Sequence, residues 1–411
     1  MDVQPTILPT LSSRYDGGQY QTAELEVTIR VTDSEGAPIT VSPIEAGWFK
    51  YLDVSFAWDA ENAYHFLALE AEGNPGLVPN SDGELSARAS HANNVSFNNA
   101  PNEMIIRSVP EKGEYTYKVS GVPDPTISTR ASNGLIIPVG TENKTGIIAI
   151  ETVIFIDPDT GKPLKGSEAT GTVRSSVAFF NKNGLVEKGR RTIVTNETCA
   201  ACHGDQGYAE HGDSRNDMEQ QCAACHAPGS SEWDEAHLLN GIAPKDPLTD
   251  HLAWNVFVHA MHAQGREEQQ TGGIIATDPN GKTVEIEQRR AFEYPARLSD
   301  CSQCHVEGTA NLDAIEKGTA VITRKVYEKD APRYATSPAA ATCWSCHAGK
   351  PGEKNEALRS HMTSNGATFE TKIIDGVNAT INGSMILDVV LPREACSVCH
   401  TSDNINKVHN F

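Results

Sequence analysis

The sequence predicts a two-domain chain, an all-β sandwich or barrel over residues 1–188 followed by a domain of short helices and long loops over 189–411. Three observations carry that division. Valine, isoleucine, threonine, tyrosine and phenylalanine recur in short runs through the first part, several of them alternating with polar residues at the period of two expected of half-buried strands. All ten cysteines fall at or after Cys199. A length of 411 residues corresponds to two or three domains at roughly 150 residues each.

In chain order, the predicted strands of the first domain are 24–31, 48–58, 104–109, 114–119, 134–139, 146–156 and 171–180. Leu25-Glu26-Val27-Thr28-Ile29-Arg30-Val31 shows the alternation most clearly. Gly, Pro, Asn and Asp clusters punctuate these runs, and Asp157-Pro158-Asp159-Thr160-Gly161 is one of them. That segment reads as a hairpin turn and not a calcium loop, because the later ligands and the terminal Glu of such a loop are missing. In the second domain 248–264 is predicted helical, and 271–287 reads as an inserted β-hairpin.

Composition closes off several functions. The formal charge is −20, with 34 basic against 54 acidic residues, shared as −10 on each side of residue 188, so no basic footprint for nucleic acid exists. The longest apolar stretch, Ile147 to Ile156, is interrupted by Glu151 and is far short of the roughly 20 residues a membrane span needs. Aromatic residues make up only 6%. An interior that thin implies that something besides side chains fills part of it.

Five strings account for every cysteine: Cys199-Ala200-Ala201-Cys202-His203, Cys222-Ala223-Ala224-Cys225-His226, Cys301-Ser302-Gln303-Cys304-His305, Cys343-Trp344-Ser345-Cys346-His347 and Cys396-Ser397-Val398-Cys399-His400. With 14 His in the chain, five pairs each followed by His arise by chance with a probability on the order of 10⁻⁷ to 10⁻⁸, which identifies the c-type haem attachment pattern. Two cysteines three apart lie on one side of a helical turn, where both sulfurs reach the edge of one porphyrin. The next residue then offers its imidazole to the iron. Zinc would need the pairs two at a time, leaves the fifth pair over and gives no reason for the constant His. Disulfides within the pairs would be redox thiols and not structural staples. The expected cofactors are therefore five covalently attached haems, with Cys199, Cys202, Cys222, Cys225, Cys301, Cys304, Cys343, Cys346, Cys396 and Cys399 as the tethers and His203, His226, His305, His347 and His400 as proximal ligands.

The sixth coordination position decides function, because a second His makes an electron carrier and an open site makes a catalyst. Nine His lie outside the motifs, seven of them in the second domain, enough for five distal ligands. His259 and His262 sit three apart on the predicted helix and can each reach a different haem. His211 follows His203 too closely to swing onto the opposite face of the same haem, so a neighbouring haem is its target. His361 and His409 follow the fourth and fifth motifs and are taken as distal ligands, with His251 the rival of His409 for the fifth place. His237, His65 and His91 read as surface, strand and loop residues.

These motifs resemble a known family. Arg190-Arg191-Thr192-Ile193-Val194 before the first motif, His211-Gly212 and Arg215-Asn216 after it, Pro228 after the second, the pair His259 and His262, and Tyr294-Pro295 before the third are similar to the pentahaem modules of outer-membrane multihaem cytochromes. The decahaem cytochromes of metal-reducing bacteria hold two such modules, each preceded by a Greek-key split β-barrel. Residues 189–411 resemble one module, and 1–188 resemble the barrel in position, size and β character. The resemblance implies bis-histidine haems in a continuous array, with His211, His259, His262 and His361 in distal positions. It also implies extracellular electron transfer to metal oxides, metal chelates or flavins, with donor and acceptor proteins as partners. A single β domain and a single module mark a half-length relative or a segment of a longer chain.

Haem attachment of this type takes place outside the cytoplasm, so the chain is expected at the cell surface, the outer membrane or the extracellular space, with the periplasm as the other exported location and membrane association peripheral. Met1 to Pro9 is not a signal peptide, and the numbered chain reads as a mature or trimmed form. Two further classes stay open: a subunit of a conductive cytochrome filament, and a pentahaem reductase with one open haem. The reductase pattern replaces one motif His by Lys, whereas all five motifs here end in His, and no catalytic residue is assigned.

Overall fold

The computed structural model describes residues 2–15, 20–33, 35–41, 46–58, 93–96, 105–119, 135–138, 144–173, 175–181, 183–187, 189–204, 215–226, 228, 253–264, 274–277, 283–286, 297–309, 311–324, 332–348, 355–382 and 385–409. Two compact units emerge, one running to Cys225 apart from Pro79–Ser90, the other comprising that segment and His226–Phe411.

The first unit is built on β1 (Asp2–Tyr15), β2 (Tyr20–Thr32), β3 (Phe49–Trp58), β4 (Asn93–Ser96), β5 (Ile105–Val109), β6 (Glu114–Val119), β7 (Leu135–Pro138), β8 (Gly146–Phe155), β9 (Thr170–Thr172), β10 (Ser176–Asn181) and β11 (Gly184–Val186). They form two antiparallel sheets. One has the order β1-β2-β6-β5 with β7 also on β2; the other has the order β11-β10-β8-β3-β4 with β9 also on β8. Among the described residues neither sheet closes on itself, so the architecture is that of two sheets and not of a closed barrel.

Each predicted strand of the first domain overlaps an observed one, and 114–119 coincides with β6. The alternation in β2 works as expected: Ile29 and Val31 are buried while Arg30 is exposed. Strand β8 is central in its sheet, and Ile147, Ile148, Ile150, Val153 and Ile154 are all buried, which explains why its apolar residues run together on both sides of Glu151 and do not alternate. Strand β1 departs from the expectation, because Pro5 and Pro9 argue against a strand. It sits at a sheet edge, where a missing N–H costs no ladder bond. The turn between β5 and β6 needs Gly113, whose φ is 66° and where an added Cβ would collide with the Val31 carbonyl. In the turn after β8, the Asp157 carboxylate accepts from the Asp159 and Thr160 amides at 2.8 and 3.1 Å, the satisfied hairpin turn the sequence implied.

The first unit also carries α1 (Asn196–His203) and α2 (Gln221–Cys225). The second unit comprises α3 (Trp254–Gln264), β12 (Ile274–Thr277), β13 (Thr283–Ile286), α4 (Leu312–Glu316), β14 (Val321–Arg324), β15 (Arg333–Thr336), α5 (Pro338–His347), α6 (Glu356–Ser364), β16 (Thr371–Lys372), β17 (Ala379–Asn382), β18 (Met385–Val389), α7 (Cys396–Cys399) and α8 (Ser402–His409). The predicted helix 248–264 appears as α3, and the predicted insertion as the β12–β13 hairpin, paired Ile274 to Ile286. Sheet β14-β15-β16 and hairpin β17-β18 complete the unit.

No single large core fills this second unit among the described residues. Its apolar contacts divide into small clusters: Ala340, Trp344, Ala348, Met362 and Ala367; Ile322, Ala335, Ile373 and Ala379; Ala253, Val256, Val321 and Ala341. The last of these packs α3 against α5, and the Asn255 amide donates to Thr342 Oγ1 at 3.0 Å across the same contact. Alanine faces let helices approach closely but leave little side-chain volume between them.

Candidate haem sites

Each C-x-x-C-H string sits at or inside a short helical turn, and in each described case a polar side chain fixes the start of that turn. Thr195 and Thr198 form a reciprocal capping box at the start of α1. Asp217 accepts from the Gln220 and Gln221 amides at 2.7 and 3.2 Å at the start of α2. The two are interlocked: Asn196 donates to Asp217 at 3.0 Å and accepts from the Met218 and Glu219 amides at 2.7 and 3.2 Å. Asn216 accepts from the Ser175 amide and donates to the Val173 carbonyl, tying this segment to the end of β9. Cys199, Cys202, His203, Cys222 and Cys225 belong to the first unit, and His226 opens the second.

In the second unit, Asp300 accepts from Ser302 Oγ and Gln303 Nε2 and so shapes the 3₁₀ turn Cys301–Gln303. Helix α5 begins with Pro338 at its first position, and its free amides are met from far along the chain: Glu394 accepts from the Ala339 and Ala340 amides at 2.8 Å each and from Ser337 Oγ at 2.7 Å. Glu316, at the end of α4, accepts from both the amide and the hydroxyl of Ser397 at 2.7 Å each, in the first turn of α7. The Arg393–Glu394 backbone lies so close to Gly366 (φ 91°) that a Cβ there would strike the Arg393 carbonyl.

Three motif histidines each face a second imidazole. His305 lies opposite His259 with ring centres 6.0 Å apart and planes 23° from parallel. His347 lies opposite His409 at 5.9 Å and 88°, and His400 opposite His361 at 6.1 Å and 84°. Two metal–nitrogen bonds of about 2 Å, plus about 1.1 Å from each nitrogen to its ring centre, give about 6.2 Å for two imidazoles sharing one metal from opposite sides. All three separations fit that span. The pairing is crossed: His361, which follows the fourth motif, faces the fifth, and His409, which follows the fifth, faces the fourth.

The surroundings of His259, His305 and His409 favour the neutral imidazole. Desolvation by burial, then the charges of His305 and His262, lower the His259 pKa to about 4, against a raising contribution from the Asn255 backbone. His259 is only half-buried as a residue, yet its Nδ1 and that of His305 are sealed from solvent. Burial also lowers His305, and burial with the charge of His347 lowers His409. Neutral imidazole is the form that binds a metal. On α3, His262 Nδ1 lies 2.7 Å from the Val258 carbonyl, a bond that fixes the orientation of the ring. Burial pushes the Cys343 thiol up to about 12 and those of Cys301 and Cys396 to about 11, with neighbouring Glu394 and Glu316 adding to the rise at Cys343 and Cys396. A thioether carries no charge and suits such a place better than the thiolates zinc would require. None of the nine cysteines with described side chains forms a disulfide. The donor set, with sulfurs one helical turn apart and imidazoles spaced for one iron, fits a covalently tethered haem.

Sequence reasoning named all six of these imidazoles but not their crossing, which chain spacing does not encode. Nor did it find Glu316, Glu394 or the aromatic pair about His226, whose ring stacks on Phe257 at 5.2 Å and lies 5.5 Å from Trp254. Acidic residues with partners 54 to 81 positions away leave no local signal. His211, His251, His237, His65, His91 and Tyr294-Pro295 lie outside the described residues.

Residues 191–410 match the family described as outer membrane cytochrome MtrC/MtrF-like, domains II/IV. That is more than half of the chain, and the chain belongs to this family. Among solved structures it is similar to MtrC from Shewanella baltica OS185, with 18% identity over 90% of this chain and 48% of that one and a TM-score of 0.46. It is also similar to the outer membrane decaheme cytochrome OmcA, with 15% identity over 98% of this chain and 49% of that one and a TM-score of 0.51, which places the fold with OmcA's. The chain thus spans about half the length of these proteins. No curated protein is similar enough in sequence to count as a relative.

Proposed function

We propose that this member of the MtrC/MtrF-like outer membrane cytochrome family is a pentahaem electron carrier, with a β domain over 1–188 and a haem domain over 189–411. The observation that carries the reading is the set of three facing imidazole pairs at 5.9 to 6.1 Å, each joining a C-x-x-C-H histidine to one from elsewhere. Cys199/Cys202, Cys222/Cys225, Cys301/Cys304, Cys343/Cys346 and Cys396/Cys399 would hold the haems, with His203, His226, His305, His347 and His400 as proximal ligands. His259, His409 and His361 serve as distal ligands to the third, fourth and fifth haems, and His262 and His211 to the remaining two. A haem iron between two imidazoles takes up and releases single electrons without exchanging ligands.

The chain's own residues do the rest. Imidazoles on both sides exclude water and small reagents from the metal, which favours a carrier over a reductase. Side-chain neighbours support a linear order of the last three sites: Cys346 Sγ lies 4.0 Å from the His259 carbonyl oxygen and interacts with Cys301, and Cys343 interacts with Cys396. The third site thus adjoins the fourth, and the fourth the fifth. The exported location is the outer membrane or cell surface, where family members would pass electrons to metal oxides, metal chelates, flavins or partner cytochromes. No helix among the described residues is long and apolar enough to cross a membrane. A charge of −20 favours cationic partners and positively charged mineral surfaces.

The test is a haem count by pyridine haemochrome with electron paramagnetic resonance of the oxidised protein. Five low-spin haems are expected. The near-parallel rings of His259 and His305 should give a rhombic signal, and the two near-perpendicular pairs strongly anisotropic ones, because parallel rings donate into one iron d orbital and crossed rings into two. Fewer haems would remove the array, a high-spin component would restore the reductase, and low-spin haems completed only in assembled copies would favour the filament.

A further inference from the structure

Two acidic side chains lie where the fourth and fifth C-x-x-C-H segments meet. Glu394 is almost wholly buried, with three per cent of its surface exposed, and every hydrogen bond it makes is donated to it: two from α5 amides and one from Ser337 Oγ. That is the bonding of a carboxylate, an acceptor on all sides. It stands one helical turn before Cys343 through those amides and two residues before Cys396 through the chain. Glu316 is half-buried and holds Ser397, between Cys396 and Cys399, by two bonds of the same kind. Both carboxylates are therefore built into the attachment segments of this pair. At the third site Asp300 is half-buried like Glu316 and raises the Cys301 thiol, but it is bonded to the exposed Ser302 and Gln303 side chains, and among the described residues no carboxylate as buried as Glu394 stands beside that motif.

Resting on the haem reading above, we propose that Glu394 and Glu316 are shared potential-setting residues that hold the fourth and fifth haems at lower reduction potential than the third. Reduction adds one electron, and so one negative charge, to a site. A fixed negative charge in a poorly screened interior disfavours that addition, and a buried one acts more strongly than an exposed one. The helix α5 amides offset part of the Glu394 charge, but that offset is fixed and does not change with redox state. The terminal pair of the array is thereby biased to pass electrons on rather than store them, and the two haems share one electrostatic environment.

The experiment is a spectroelectrochemical titration of the holoprotein with E394Q and E316Q, each of which removes one charge and keeps the side chain's shape and an acceptor oxygen. Each variant should raise two of the five midpoints by at least threefold in the one-electron reduction equilibrium, about 28 mV at 59 mV per tenfold, with the rhombic third-site signal moving less than threefold. The control is S337A, which deletes one bond to Glu394 and leaves its charge; its midpoints should stay in place. Unmoved midpoints, an equal shift of all five, or an S337A shift as large as that of E394Q would each overturn the proposal. If E394Q does not fold, the E316Q titration decides the matter by the same criteria. A parent protein with fewer than five haems defeats the underlying reading instead, and the haem count separates the two failures.

Discussion

The interiors of the two units are made of different material. Among the described buried apolar residues of the first unit, three of fifteen are alanine, and isoleucine, valine and phenylalanine supply most of the volume; in the second unit nine of sixteen are alanine, with Trp344 the one large side chain fully enclosed. A sheet buried by Ile147, Ile148, Ile150 and Phe180 can hold itself together by apolar burial. An array of alanine-faced short helices cannot, and helices of four to eleven residues such as α7 and α3 do not persist alone in water. The difference teaches that the second unit leaves its main apolar component to be supplied by something other than the chain.

The largest expected effect follows directly. Chain prepared without haem attachment should lose its helical circular-dichroism signal while keeping the β signal. Hydrogen exchange should show β8 protected and α5 open, and equal protection of the two would break the comparison. Next in size is the loss of one axial ligand. H361A should turn one low-spin iron high-spin at the haem of His400, and H409A should do so at the haem of His347. In a C396A/C399A background, where no fifth haem is tethered, H361A should add no further high-spin signal by electron paramagnetic resonance while H409A still does. If H361A adds that signal there, the crossed pairing is wrong.

Side-chain truncations sharpen the contrast on a smaller scale. W344A should cost about 3–5 kcal/mol in denaturant unfolding of the holoprotein, because Ala340, Ala348 and Ala367 around it have nothing to fill the hole. I148V, in the densely filled sheet, should cost only about 0.5–1.5 kcal/mol by the same measurement. The least effect belongs to K317A: its 2.6 Å ion pair with Asp313 joins two side chains each more than half exposed, and its loss should shift stability by no more than about 0.3–0.5 kcal/mol. A loss above about 1 kcal/mol would mean that the exposed turn after α4 contributes to holding Glu316.

Period-two alternation made β2 legible because Ile29 and Val31 are buried while Arg30 between them is exposed, and β8 was legible as an apolar run because residues on both of its faces are buried, properties each strand shows by itself. Strand β1 escaped because its prolines are tolerated only at an edge, and being at an edge is a fact about neighbours. The C-x-x-C-H strings were legible for a similar local reason: two sulfurs and an imidazole that are to serve one porphyrin must lie within a single helical turn. Which second imidazole completes each site carries no such constraint. His361 and His409 stand in the same relation to the motifs before them, and nothing in the chain says that each serves the other's motif.

The sequence by itself determined what lies within a few covalent bonds or one turn of backbone: the five C-x-x-C-H strings, the sheet-forming runs and the presence of α3 with its two imidazoles. Tertiary structure alone decided the facing of His259 on His305, the crossing of His361 and His409, and the placement of Glu394 and Glu316 on helices 54 and 81 residues away. Short-range steric and covalent rules repeat wherever the same residues occur. Contacts between distant segments depend on how the whole chain packs, and that is settled only when the alanine faces, the caps and the imidazole pairs close together.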